Sequence, residues 1–245
     1  MRKHFMALIM FAVLLPTGAS ADEITLAVLG DFPPFQWEEA GKVTGIDADI
    51  IREVCRRLGI GLKFQVMPWK KALKSAENGD VSGLAASLYS EKRAEYLYYT
   101  KESVHIQKNI IMIRKGNNIK ISGFDDLKNI KTGVVRDFSY GPEFDSIRGL
   151  DKVVCTDQKE LVRLLAAGRV DAAMGSEMPL MFNARQLGVQ DKLEVAHVVT
   201  EYRAYTAFSK ASGEKGKVLA RKFDTVLREM KKEGLDQKIL DTYIK

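Results

Sequence analysis

Apolar positions along the chain fall into two alternating rhythms: short runs with period two, and longer stretches with an apolar residue every third or fourth place. Residues 24–29 read as a strand, and residues 47–58 as a helix with Asp47 or Asp49 near its start and Gly59 just past its end. Residues 62–67 are again strand-like, 69–78 a short helix closed by Gly79, and 82–86 a third strand. After an extended stretch at 107–114 the rhythm restarts. It predicts a short helix at 124–128, a strand at 131–135, a helix at 139–147 and a strand at 152–155. A helix at 160–167 stopped by Gly168, a strand at 170–174 and a helix at 178–187 ending at Gly188 follow. Residues 192–196 and 203–209 are predicted as extended pieces, and two amphipathic helices near 217–232 and 236–243 close the chain. Strand and helix in this order imply an α/β protein with largely parallel sheets flanked by helices. Two such sets, joined by extended strands without a Gly/Ser- or Pro-rich linker, fit two lobes able to close on a ligand.

The first 21 residues stand outside that pattern. Arg2, Lys3 and His4 precede an uncharged apolar run from Phe5 to Leu15, Pro16 breaks it, and Ala19-Ser20-Ala21 offers small residues for cleavage. An apolar helix of about eleven residues reaches only about 16 Å, against a bilayer core of roughly 30 Å. Residues 1–21 are therefore expected to be a signal peptide, with the mature chain beginning at Asp22. With no cysteine at the cleavage site for lipid attachment, the expected location is the periplasm of a Gram-negative cell.

Composition narrows the function. At 46% hydrophobic and 29% charged residues, the chain can bury a core and is not disordered. The net charge of +6 falls by two when Arg2 and Lys3 leave, and the remaining bases are interleaved with acids, which argues against a nucleic-acid interface. Cys55 and Cys155 are expected as two buried thiols, and the scattered His4, His105 and His197 give no metal-binding cluster. No cofactor is expected.

Several segments resemble the family 3 extracellular solute-binding proteins. These are Gly30-Asp31-Phe32-Pro33-Pro34-Phe35, Gly45-Ile46-Asp47-Ala48-Asp49-Ile50, Ser90-Glu91-Lys92-Arg93, Phe124-Asp125-Asp126-Leu127-Lys128, Ala167-Gly168-Arg169-Val170-Asp171-Ala172 and Met230-Lys231-Lys232-Glu233-Gly234. They occur in the family's order over the whole mature chain. The resemblance implies a two-lobed periplasmic-binding-protein fold, with lobe 1 from 22–105 and 203–245, lobe 2 from 106–202, and two hinge strands. It also implies a ligand cleft between the lobes and a membrane permease of an ABC importer as partner for a monomeric protein.

Carried over residue by residue, the resemblance makes Arg93 the group that grips a ligand carboxylate, with a planar fork of donors suited to bidentate contact. The same arginine could instead pair with Glu91 or Glu95. Phe32 matches an aromatic wall, and Asp31 beside it either reaches a ligand ammonium or caps a turn. Ala86 and Ser87 lie where the family offers backbone carbonyls and hydroxyls. Phe138 and Ser139 open the helix predicted at 139–147, whose N-terminus would seat an anion; the resemblance sets the Ser139 hydroxyl against the ligand carboxylate, and the alternative is that it is an N-cap alone. Trp69 reads equally as a cleft rim or as core. The departure is Ser176, where the family's amino-acid binders carry an aspartate for the ligand ammonium. Glu177 or Asp31 would have to replace it, or the ligand lacks an ammonium.

The expected activity is capture of a small polar ligand, an amino acid or related carboxylate, with no catalysis. Two other readings stay open. Cyclohexadienyl dehydratases resemble this family, and Glu177 is the one general acid or base at hand for such an enzyme. A freestanding sensor for a signalling receptor is the other.

Overall fold

The computed structural model describes residues 23–244, so the predicted signal peptide and the mature terminus at Asp22 lie outside the described residues. The chain opens with β1 (Glu23–Val28), whose period-two pattern sends Ile24, Leu26 and Val28 into one core and Ala27 into another. Strand β2 (Asp31–Phe32) pairs with β3 (Gln36–Glu39), and β3 with β4 (Lys42–Thr44), in a small antiparallel sheet that the apolar pattern does not announce. Helix α1 (Ile46–Leu58) buries Ile46, Ile50, Ile51 and Val54 on one face, each contributing about 1.5–3 kcal/mol. Gly59 ends it in the left-handed region at φ 64°. Strand β5 (Gly61–Val66), helix α2 (Trp69–Asn78), strand β6 (Gly83–Leu88), the short α3 (Glu91–Ala94) and strand β7 (Leu97–Tyr99) complete this half.

The chain then enters β8 (His105–Arg114), in which Ile110 and Met112 face one core and Ile111 and Ile113 the other. A strand buried on both faces reads as a continuous apolar run, which is why 110–113 shows no alternation. Strand β9 (Thr132–Val135), α4 (Pro142–Asp145), β10 (Lys152–Cys155), α5 (Gln158–Ala166), β11 (Ala172–Ser176) and α6 (Glu177–Gln186) form the second half. Strand β12 (Leu193–Ser209) returns the chain to the first half, where α7 (Glu214–Lys232) and α8 (Leu235–Ile244) pack on α1.

Both predicted parallel sets are present: β5-β1-β6 in one half and β10-β9-β11 in the other. They are joined into one mixed nine-stranded sheet of order β10-β9-β11-β8-β12-β6-β1-β5, with β7 also on β12. The linkers are antiparallel strands: β12 pairs with β8 from Leu193 to Ala204 and with β6 from Ala204 to Phe208. The two predicted extended pieces at 192–196 and 203–209 are thus a single 17-residue strand. Its middle carries two bulges, between Val195 and His197 and between Val198 and Thr200, which break the period-two signal. Cys55 and Cys155 are free, and burial pushes their thiols up to about 12 and about 11. No described helix is long and apolar enough to cross a membrane.

Candidate functional site

A cleft of about 210 Å³ opens where the two halves face each other. The first half lines it with Leu29, Phe32, Gln36, Trp69, the end of β6 from Ala86 to Leu88, and Tyr89, Ser90 and Arg93. The crossing strands add His105 and Gln107 from β8 and Tyr202 and Ala204 from β12. Phe138, Ser139, Gly141 and Pro142 close it from the second half. The halves also touch directly: Phe32 meets Phe138 edge to face at 5.7 Å between ring centroids, and Trp37 on β3 meets Phe182 on α6 at 5.7 Å.

Arg93 sits on α3, whose N-cap Ser90 accepts a hydrogen bond from the Arg93 backbone N–H at 3.3 Å. Its guanidinium lies 5.4 Å over the Trp69 ring, and Nη1 donates to the Leu88 carbonyl at 3.1 Å. Among the described residues it forms no ion pair, so Glu91 and Glu95 do not hold it. Ser87 Oγ (3.1 Å) and Tyr99 OH (3.2 Å) donate to the same Leu88 carbonyl. Three donors therefore meet one oxygen with two lone pairs, and at least one can turn to an incoming acceptor. Trp69 answers to both of its sequence readings, since it borders the cleft and packs on the core around Met67 and Ala72.

Seven of the ten sequence-derived site residues, Arg93, Phe32, Phe138, Ser139, Ala86, Ser87 and Trp69, border this one cleft; Asp31, Ser176 and Glu177 do not. Asp31 lies outward on β2; partial desolvation and then Asp157 of the other half push its carboxyl up, against Lys159. Ser176 is buried and donates to Asn109 Oδ1 at 3.3 Å. Asn109 Oδ1 in turn accepts from Gln107 Nε2 at 3.1 Å, so Ser176 reaches the cleft only through this relay. Glu177 opens α6 beyond it. The helix predicted from Ser139 is a correction: α4 has four residues, starts at Pro142 and has Gly141 at its N-cap. Asp137 at φ 61° and Gly141 at φ 111° break the backbone just where the pattern predicts a first turn. Ser139 Oγ instead donates to Asp145 Oδ2 at 2.5 Å, and Tyr140 N–H donates to Asp145 Oδ1.

The apolar pattern misses a buried polar cluster that reaches the cleft lining through Gln36 and His105. Asp47, fully buried in the first turn of α1, lies 2.6 Å from His105 Nδ1 through Oδ1 and accepts from Gln36 Nε2 at 3.1 Å through Oδ2. The imidazole stacks on Phe35 at 3.8 Å between centroids, and its Nε2 is buried without a hydrogen-bond partner. Histidine and aspartate are 58 residues apart, so no local spacing links them.

Residues 24–245 match the family described as bacterial extracellular solute-binding proteins, family 3. The probable amino-acid-binding protein YxeM of Bacillus subtilis is 24% identical over 87% of this chain and 81% of its own length. A probable amino-acid ABC transporter-binding protein of Haemophilus influenzae is 25% identical over 92% of this chain and 88% of its own. The fold is shared with a histidine kinase sensor domain similar to periplasmic binding proteins, at a TM-score of 0.79 and 24% identity, covering 91% of this chain and 96% of that one.

Proposed function

We propose that this chain, which belongs to family 3 of the bacterial extracellular solute-binding proteins, captures a small polar ligand, an amino acid or a related carboxylate, in the cleft between its halves. In this reading lobe 1 is 22–105 with 203–245, lobe 2 is 106–202, and β8 and β12 act as the hinge. The protein works in the periplasm as a monomer, performs no chemistry on the ligand, and hands the closed form to the membrane permease of an ABC importer. The observation that carries the reading is Arg93: a guanidinium with no carboxylate partner among the described residues, set in a cleft walled by both halves. A bidentate carboxylate contact there would be of the strong, charge-assisted kind, and closure would exclude the water that competes for it. Relatives named for amino-acid binding and for an ABC transporter support the ligand class and the partner. The shared fold of a histidine kinase sensor domain keeps one other partner in view, a signalling receptor. Glu177, the acid–base group named for the dehydratase reading, lies outside the cleft lining.

A thermal-shift screen of refolded, ligand-stripped protein against amino acids and simple carboxylates tests the capture. A ligand at 100 times its dissociation constant adds about 2.7 kcal/mol, a rise of about 5–10 °C for a chain of this size. No shift with any of them overturns the reading.

Closure itself has a handle outside the ligand. Trp37 touches Phe182 across the cleft and Tyr243 within its own half at 5.8 Å. An aromatic pair contributes about 0.5–1.5 kcal/mol, so Trp37→Ala is expected to weaken ligand binding about 2- to 10-fold without removing a ligand contact. Titration calorimetry checks this, and unchanged affinity would mean that the Trp37–Phe182 contact does not contribute to the closed state.

A further inference from the structure

The cleft wall around Arg93 holds more donors than acceptors. A carbonyl oxygen has two lone pairs. The Leu88 carbonyl meets three donors: Arg93 Nη1 at 3.1 Å, Ser87 Oγ at 3.1 Å and Tyr99 OH at 3.2 Å. Once Arg93 turns its fork to a ligand carboxylate, the two hydroxyls still fill that oxygen. Two other acceptors of the lining also serve the protein: Ser90 Oγ accepts from the Arg93 N–H, and Gln36 Oε1 from the Leu29 N–H at 2.9 Å. Among the described residues no Asp or Glu borders the cleft, so the acceptors left to a ligand, the Gln107 amide oxygen among them, carry no charge.

The acids closest to the lining in the fold are engaged or turned away. Asp47 is fully buried behind its bonds to His105 and Gln36, Asp145 is exposed and accepts from Ser139 and Tyr140, and Asp31 is exposed on β2. Ser176, where the family resemblance leads one to expect an aspartate, is neutral and donates to Asn109. An ammonium enclosed with neither a counter-charge nor a full set of acceptors is costly. A carboxylate is the opposite case, because it brings acceptors only to a wall with donors in excess. Beyond Arg93, the rings of Phe32, Trp69, Phe138 and Tyr202 surround the remaining space.

We propose that the cleft selects a monocarboxylate with an aromatic or apolar body and no ammonium, and that the Leu88 carbonyl, filled by Ser87 and Tyr99, is the element that turns an α-ammonium away. The inference rests on the reading of the cleft as a solute-capture site and narrows its ligand class. The carboxylate takes the Arg93 fork, and the body lies among the rings. The serine at 176 then has a meaning, because a ligand without an ammonium does not call for an aspartate there.

Titration calorimetry of the ligand-stripped protein at neutral pH tests this with two pairs of ligands that differ only in the amine. They are 3-phenylpropionate with L-phenylalanine, and 4-methylpentanoate with L-leucine; L-glutamine and L-arginine stand for the polar amino acids. The amine-free member of each pair is expected to bind about 10- to 100-fold tighter. Tyr99 lies outside the lining, so Tyr99→Phe takes a donor from the Leu88 carbonyl without removing a group from the cleft wall. An ammonium N–H then finds a lone pair there, and the preference should shrink by about 3- to 10-fold. Ser87→Ala should act in the same direction. Thermal unfolding of the unliganded variants is the control for structure, and a loss of packing alone would weaken both members of a pair alike and leave their ratio unchanged. An amino acid that binds as tightly as its amine-free counterpart, tightest binding by glutamine or arginine, or a preference that both variants leave intact overturns the inference while solute capture stands. No heat with any of the six overturns capture and inference together.

Discussion

Arg93→Ala is expected to weaken binding of any carboxylate ligand by on the order of 100-fold or more while leaving the fold in place. Truncating one partner of a desolvated, hydrogen-bonded charge pair costs about 2–5 kcal/mol, much of it from the charge left buried and unpaired. That charge would be the ligand's carboxylate, enclosed by Phe32, Phe138 and Trp69. Little stability should go with it. Among the described residues the guanidinium makes one hydrogen bond, to the Leu88 carbonyl, and Ser87 and Tyr99 already donate to that oxygen. Arg93→Lys separates charge from geometry: an ammonium keeps the attraction but loses the fork, so an intermediate loss of about tenfold is expected. Titration calorimetry beside thermal unfolding reads both quantities. An alanine variant that binds like the parent would move the carboxylate anchor elsewhere in the cleft, whereas one that unfolds would make Arg93 a structural residue.

The two halves of the fold were legible wherever an element is long and one-sided. Helix α1 could be read from Ile46, Ile50, Ile51 and Val54 on one face and Gly59 at its end, because burial and the left-handed C-terminal turn both leave local marks. Strand β12 could not, because its central stretch of half-buried positions and bulges belongs to the crossing between halves, where the period-two pattern lapses. Ser139 shows a related limit. A serine after a strand reads as a helix start, yet Asp137 and Gly141 adopt positive φ and delay the helix to Pro142. In the cleft, Arg93, Phe32 and Ser87 stand in segments with a recognisable order. The Asp47–His105 pair joins the first turn of one helix to the start of a strand laid beside it by the whole fold. Tertiary placement alone creates that contact, and a scattered histidine in the sequence carries no sign of it.

That placement depends on a backbone contact one residue before α1, and Gly45→Ala should expose it. Gly45 caps the helix without a side-chain hydrogen bond, so the first helical N–H groups need other acceptors. They find them in the preceding segment: Ile46 N–H donates to Pro34 O and Asp47 N–H to Phe35 O, both at 2.9 Å. The chain can come this close only because position 45 has no side chain. A Cβ there would stand 2.4 Å from the Phe35 carbonyl oxygen and 2.7 Å from its carbon, at a φ of 116° that disfavours any L residue. Backbone strain of about 1–3 kcal/mol and overpacking of about 1–3 kcal/mol should combine to roughly 3–5 kcal/mol. For a chain of this length that lowers the melting temperature by about 10 °C or more. Gly59→Ala is the matched control. Its φ of 64° is also left-handed, but no atom lies within 4 Å of the added carbon, so about 1–2 kcal/mol is expected. The two should differ in function as well. Moving the Phe35–Gln36 segment displaces both the ring stacked on His105 and the amide bonded to Asp47, so Gly45→Ala should lose ligand affinity at temperatures where it remains folded. Gly59→Ala should keep it. Equal melting points for the two variants would show that Phe35 yields easily, and the Asp47–His105 geometry would then need another support than this close approach.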